Sequence, residues 1–204
     1  MADIVRCMAG YSGSMARTRS FDEHALTAAA IDRFWTSGYD ATSVESIAST
    51  SGVGNGSIYA AYGSKRGLFE TALAAYCASR VAIVRDAMRA DESLEASVRR
   101  FFAVIVADCA TQPDRRGCLM LNTVSEWGDR DSAILELCQR TTRDMEAAVA
   151  DRIMLANPKR ADAAILAAQI ILVSQGIIAL SRLKASRDRM VAIAESYCGT
   201  LALA

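Results

Sequence analysis

Residues 42–68 read TSVESIASTSGVGNGSIYAAYGSKRGL, two short helices joined by a glycine-bearing turn and followed by the start of a third. Thr42 or Ser43 stands where an N-cap belongs, Glu45 or Ser46 where its capping partner would sit, ahead of the apolar positions Val44, Ile47 and Ala48. Gly52 suits the left-handed residue that ends a helix, and Val53 supplies an apolar contact across the corner. The second helix runs from Gly54 to Tyr62, with Ile58 and Tyr62 one turn apart on one face and Asn55, Ser57 and Tyr59 on others. Ser64 then caps a helix that starts Lys65, Arg66, Gly67, Leu68. This is the grammar of a DNA-reading helix-turn-helix.

Working outward, Met15 to Phe21 is a polar arm carrying Arg17 and Arg19, and the preceding residues 1–14 are expected to be a disordered extension, with Met15 a candidate natural start. Asp22 and Glu23 suit a helix N-terminus, and Leu26, Ala29, Ala30 and Phe34 give that helix an apolar stripe to about Ser37, where Gly38 should end it. Downstream, the helix begun at Ser64 should continue to about Ala90, followed by helices near 93–110, 118–127, 132–157, 160–184 and 187–201. Pro158 is expected in the first turn of the 160–184 helix. Nothing reads as a strand or a repeat, so the fold class is all-α: a three-helix reading domain over 15–66, then a larger helical domain over 67–204.

Composition bounds the function. The 204 residues are 52% apolar and balance 23 basic against 23 acidic side chains, so a nucleic-acid partner must rest on local layout rather than net charge. Cysteines 7, 77, 109, 118, 138 and 198 form no CxxC pair, and His24 is the sole histidine, which argues against a zinc site, a disulfide framework or a Ser/His/Asp catalytic set. The expectation is no metal, no cofactor, no catalytic residue, and reduced thiols in the cytoplasm. Ala163 to Ser181 is free of charge and long enough to span a bilayer, with no second such segment in the chain. Alanine, Gln169, Ser174, Gln175 and Gly176 dilute its apolarity, and a helix buried between two subunits has the same composition.

Ala29, Ala30, Phe34, Gly38, Tyr39, Thr42, Ser43, Val44, Ile47, Ala48, Gly52, Val53, Gly56, Ser57, Ile58, Tyr59, Tyr62, Ser64, Lys65, Leu68 and Phe69 stand in the order and spacing of one family. On these residues the N-terminal third resembles the TetR family of bacterial transcriptional regulators, of the TetR/AcrR type. The resemblance implies an all-helical homodimer, joined through helices 160–184 and 187–201, that binds a palindromic double-stranded DNA operator. It also implies a larger domain that encloses a pocket for a small-molecule effector. The run RGCLMLN, Arg116 to Asn122, is similar to a segment in some members' ligand domains.

From that analogy Thr42, Ser43, Tyr59 and Lys65 are expected on phosphates, Asn55, Gly56 and Ser57 on base edges, and Arg17 and Arg19 on phosphate or in the minor groove. The alternatives are a structural aromatic at Tyr59 and a solvated arm at Arg17 and Arg19. No charged side chain occurs between Ser46 and Ser64, and Ala61 stands where the family commonly has an aromatic or histidine contact. A ligand pocket is expected among Tyr76, Phe101, Phe102, Ile105, Met120, Asn122 and Trp127, each with the alternative of plain core. Cys118, beside Arg115 and Arg116, is either a thiol sensor of depressed pKa or a small buried apolar residue. Repression follows from the family's commoner mode, and a helical protein-interaction module is the rival class.

Overall fold

The computed structural model describes residues 21–201 apart from 90, 113 and 129. The arm residues Arg17 and Arg19 and the segment 1–14 lie outside the described residues. Within them the chain forms nine helices and no strand. These are α1 Glu23–Ala41, α2 Val44–Ser51, α3 Asn55–Tyr62, α4 Lys65–Ala87, α5 Leu94–Thr111, α6 Leu119–Trp127, α7 Ser132–Ala156, α8 Ala163–Arg182 and α9 Arg187–Thr200.

Capping side chains set most of the starts. Asp22 accepts the amides of His24 and Ala25, Ser43 that of Ser46, Ser64 that of Gly67, Ser93 that of Ala96 and Ser186 that of Arg189. Each cap satisfies amides that a first turn leaves without an intrahelical partner. Leu26, Ala30, Phe34, Ile47, Ile58 and Leu68 are essentially fully buried and weld α1, α2, α3 and the start of α4 into one head. The remaining helices form a larger bundle in which α4 packs on α7, α7 on α8, and α5 on α8 and α9.

Two turns depart from the sequence expectation. Pro158 does not sit in a helical first turn; it occupies the turn closed by the Arg160 amide on the Asn157 carbonyl (3.1 Å), and α8 begins only at Ala163. Proline's fixed φ suits the second position of such a turn. Gly38 breaks α1 without ending it: at φ 76° and ψ 174° it kinks the helix, which resumes through Ala41. The kink orphans carbonyls, and the Thr42 hydroxyl lies 2.7 Å from that of Gly38 and 3.2 Å from that of Arg33.

α8 is not the only helix long and apolar enough to cross a membrane. α4 passes the same test of length and composition, with a mean hydropathy of 1.3 against 2.2 for α8, because its few charges are spaced widely enough to leave an apolar window. Both pack into the bundle along one face. On α8 that face carries Leu166, Ala167, Ile170, Ile171, Ser174 and Ile177, whereas Ile165, Leu172 and Leu183 are 65–78% exposed.

The Gly38 backbone angles are ones that only glycine adopts without strain. Replacing Gly38 by Ala should therefore cost about 1–3 kcal/mol of stability by chemical denaturation. A variant as stable as the parent would show that the kink relaxes freely.

Candidate nucleic-acid interface and interdomain cleft

The reading head is built from short helices with little to bury. α2 ends at Gly52 in left-handed conformation, Val53 is buried under the corner, and α3 follows with Ile58 as its one fully buried residue. Gly56, Ser57, Tyr59 and Ala60 face solvent as a result. The N-cap of α3 is Gly54, which offers no side-chain acceptor, so the Asn55 and Gly56 amides go uncapped while that of Ser57 closes on the Gly54 carbonyl at 2.9 Å. Arg33 reaches from α1 to the Thr50 hydroxyl at 3.0 Å and holds α2 against α1.

Among the residues expected on DNA, Ser43 is exposed and caps α2, and Tyr59 keeps 45% of its surface open. Thr42 is a correction: it is 3% exposed, and its hydroxyl is spent on the carbonyls orphaned by the Gly38 kink, so it cannot reach a phosphate. Lys65 begins α4, with its ammonium 4.4 Å from the Tyr39 ring centre and 3.3 Å from the Asp40 carbonyl. Asn55 is half-buried, and its Oδ1 faces inward without a hydrogen-bond partner. Tyr62 is partly buried against the core.

Five of the residues expected at a ligand pocket, Tyr76, Phe101, Phe102, Ile105 and Met120, are 1–7% exposed and pack in the core. Trp127 packs edge-on to Tyr39 at 4.5 Å. Of the seven residues Asn122 lines a cleft of about 610 Å³ between the C-terminal part of α1 and α6, and Trp127 lines an adjoining one of about 410 Å³ with Gly38 and Arg130. The apolar wall of the larger cleft carries Phe34, Trp35, Tyr39 and Phe69, and its polar wall Arg115, Arg116 and Arg182.

That polar wall is tied together. Arg116 pairs with Asp32 at 2.6 Å, donates to the Thr36 hydroxyl at 2.9 Å and lies over the Trp35 ring at 4.3 Å. Asn122 donates from Nδ2 to the Arg116 carbonyl and accepts the Arg182 guanidinium on Oδ1 at 2.6 Å. The sequence held the RGCLMLN run but no periodicity that joins it to Asp32, Trp35 or Arg182.

Of its two readings, Cys118 fits the small buried residue, at 6% exposed. Burial pushes its thiol pKa up, and the hydrogen bond from the Tyr76 hydroxyl (3.5 Å) does not offset it. The neighbouring arginines turn away, Arg115 to the Ala185 carbonyl and Arg116 to Asp32. Among the described thiols Cys77 is the one held below its ordinary range, by hydrogen bonding to Cys138 and Thr141. The same contact, with burial, holds Cys138 high.

Comparison with known proteins agrees with this architecture. Residues 26–72 match the description "Bacterial regulatory proteins, tetR family", and residues 95–196 the "Transcriptional regulator LmrA/YxaF-like, C-terminal domain". The HTH-type transcriptional repressor ComR of Escherichia coli is 28% identical over 189 residues, covering 89% of each chain. The HTH-type regulator YezE of Bacillus subtilis is 29% identical over 135 residues, 66% of this chain and 69% of its own. A structure of a cysteine mutant of the TetR family regulator CifR, complexed with 26-bp operator DNA, superposes with a TM-score of 0.77 at 25% identity, covering 90% of this chain and 99% of that one. With a helix-turn-helix at its N-terminus, a larger helical domain behind it and both halves matched, the chain belongs to the TetR family of transcriptional regulators, which bind DNA.

Proposed function

We propose that the protein is a homodimeric repressor that holds a palindromic DNA operator through the α2–α3 heads of two subunits and releases it when a small-molecule effector binds. The observation that carries this reading is the outward face of α3, where Gly56, Ser57 and Tyr59 stand exposed beside uncapped amides while Ile58 alone is fully buried. A helix that buries so little is held by its neighbours for presentation. The CifR complex with operator DNA and the repressor ComR support the same reading. The reading head would span residues 15–66 and the effector and dimer domain 67–204, in the cytoplasm.

The contacts divide by chemistry. On this reading Ser43, Tyr59 and Lys65 meet phosphates, with Arg17 and Arg19 joining from the arm. Asn55, Gly56 and Ser57 are placed for base edges, and turning the Asn55 amide onto a base gives its inward Oδ1 a partner. Because α3 has no charged side chain, few counterions are displaced there, and the salt dependence should come from Lys65 and the arm.

Dimerisation would use α8 and α9. Ile165, Gln169, Leu172, Gly176, Ala179 and Leu183 lie at three- and four-residue spacing along the outward face of α8, all exposed and all uncharged. An uncharged stripe of this length, absent a partner, would leave apolar surface in water.

A selection from random duplex DNA should return a palindrome. Against that site, Lys65→Ala should weaken binding to all sequences alike and lower the salt slope by about 1, whereas Asn55→Ala should change which bases are preferred. An unaltered slope would instead make Lys65 a clamp on Tyr39. Leu172→Asp should convert a dimer into a monomer in sedimentation velocity; a dimer that persists would remove α8 from the interface. With its pKa raised and its sulfur buried, Cys118 holds less thiolate at neutral pH than a free cysteine, so native protein should alkylate there more slowly than a free thiol. Fast labelling at pH 7.5, read by mass spectrometry, would revive control through this thiol.

A further inference from the structure

The cleft between α1 and α6 sets three guanidiniums, those of Arg115, Arg116 and Arg182, beside the carboxylates of Asp114 and Glu126. Arg116 takes Asp32 at 2.6 Å and has its Nε 3.8 Å from Asp114. Arg115 and Arg182 have no carboxylate partner among the described residues; each spends a nitrogen on a neutral oxygen, that of Ala185 and that of Asn122. A guanidinium has five N–H donors, so most of their donors remain unused.

Arg182 is also held in place. It lies flat across Gly117, where an added Cβ would stand 2.5 Å from its Cδ and 2.9 Å from its Cγ. Asn122, anchored on the Arg116 carbonyl, turns its amide oxygen to the guanidinium. The fork is thus oriented before any occupant arrives, which reduces what binding must immobilise.

Two further donors in the same wall lack acceptors. The indole N–H of Trp35 and the Nε of Arg116 are buried and make no hydrogen bond, the latter with Asp114 Oδ1 3.8 Å away, and Trp35 lines the cleft. Buried donors without acceptors are unfavourable, and here the missing group is an acceptor. The rest of the wall is flat and apolar through Phe34 and Leu119. Toward the C-terminal end of α6 stands Glu126, whose carboxylate packs against Gly38 and disfavours a second negative charge there.

We propose that this cleft binds a small organic monoanion, a carboxylate on a flat apolar body, with the carboxylate on Arg115 and Arg182 and the body against Trp35. Such an occupant touches α1 of the reading head and α6 and α8 of the bundle at once, so it fixes the angle between them. Its effect on DNA rests on the effector reading above; its binding does not.

The test is calorimetry on the full chain with benzoate, cinnamate, 4-hydroxycinnamate and 4-hydroxyphenylacetate, each beside its methyl ester. At least one acid should bind once per chain and saturably, its ester roughly tenfold or more weaker, as expected for losing a charge-assisted bond. Arg182→Gln and Arg115→Gln should each lose a similar factor, while Arg189→Gln, on the exposed side of α9, should bind as the parent does. Circular dichroism and thermal melts confirm folding of each variant. No saturable binding by any of the four acids, or esters as tight as acids, or arginine variants as tight as the parent, overturns the proposal. Operator retention measured on the same samples keeps the two readings separate: DNA bound without acid binding sinks only the cleft, and acid binding without DNA retention sinks only the repressor.

Discussion

The contact on which the arrangement depends is the aromatic joint where Tyr39, Phe69 and Trp127 meet. Tyr39 lies 5.1 Å from Phe69 and 4.5 Å from Trp127, both edge-on, and Phe34 closes on Phe69 at 4.9 Å from below. These rings come from α1, α4 and α6, so a single packed cluster sets how the reading head meets the bundle. Edge-to-face pairs add to their burial only while their angles are kept, which makes the joint directional as well as adhesive. The Gly38 kink is part of the same device, since it turns the chain so that Tyr39 points back at α4 and α6 rather than continuing along the helix.

Polar clamps surround the joint. Lys65 covers Tyr39 from the start of α4, Arg116 covers Trp35 from the loop before α6, and Arg66 reaches Asp131 at 2.6 Å. Asp131 is 8% exposed and already caps α7 through the amides of Ala133 and Ile134. It therefore joins the first turn of α4 to the first turn of α7. A charge that caps one helix and pairs with another couples their positions more firmly than an exposed ion pair, which contributes little.

What was legible in the sequence follows from what is periodic. Apolar spacing and caps such as Ser43, Ser64 and Ser93 placed all nine helices, because burial on one face and amide satisfaction at one end are both local rules. The cleft was not legible. Its wall joins Asp32 to Arg116, 84 positions apart, and Asn122 to Arg182, 60 apart, and a cavity is an absence of atoms that leaves no spacing behind. Phe101 and Phe102 read as pocket or core alike, since the helical period that would line a cavity also fills one. At Cys118 sequence neighbours misled, because Arg115 and Arg116 spend their charges on α1 and the Ala185 carbonyl, away from the sulfur. Thr42 misled for a related reason: a capping residue one place before the true cap was needed to repair the kink.

The two arginine clusters around the joint tie different elements together. Arg66 on Asp131 ties α4 to α7 inside the bundle, so α4 has to carry with it whatever α7 and α8 do. Arg116 on Asp32 ties the bundle to α1, in the head, with Thr36 and the Trp35 ring as further anchors. Each pair sets one half-exposed partner, Arg66 at 50% and Asp32 at 55%, against a more buried one. Displacement arising at the α8 face would thus pass along α4 to its N-terminal turn, where Lys65 and the end of α3 begin. An occupant of the α1–α6 cleft would couple the head to the bundle at a second place. Coupling of this kind needs only two packed arrangements of the aromatic joint that differ by a small free energy, because an occupant shifts the balance by its preference for one of them.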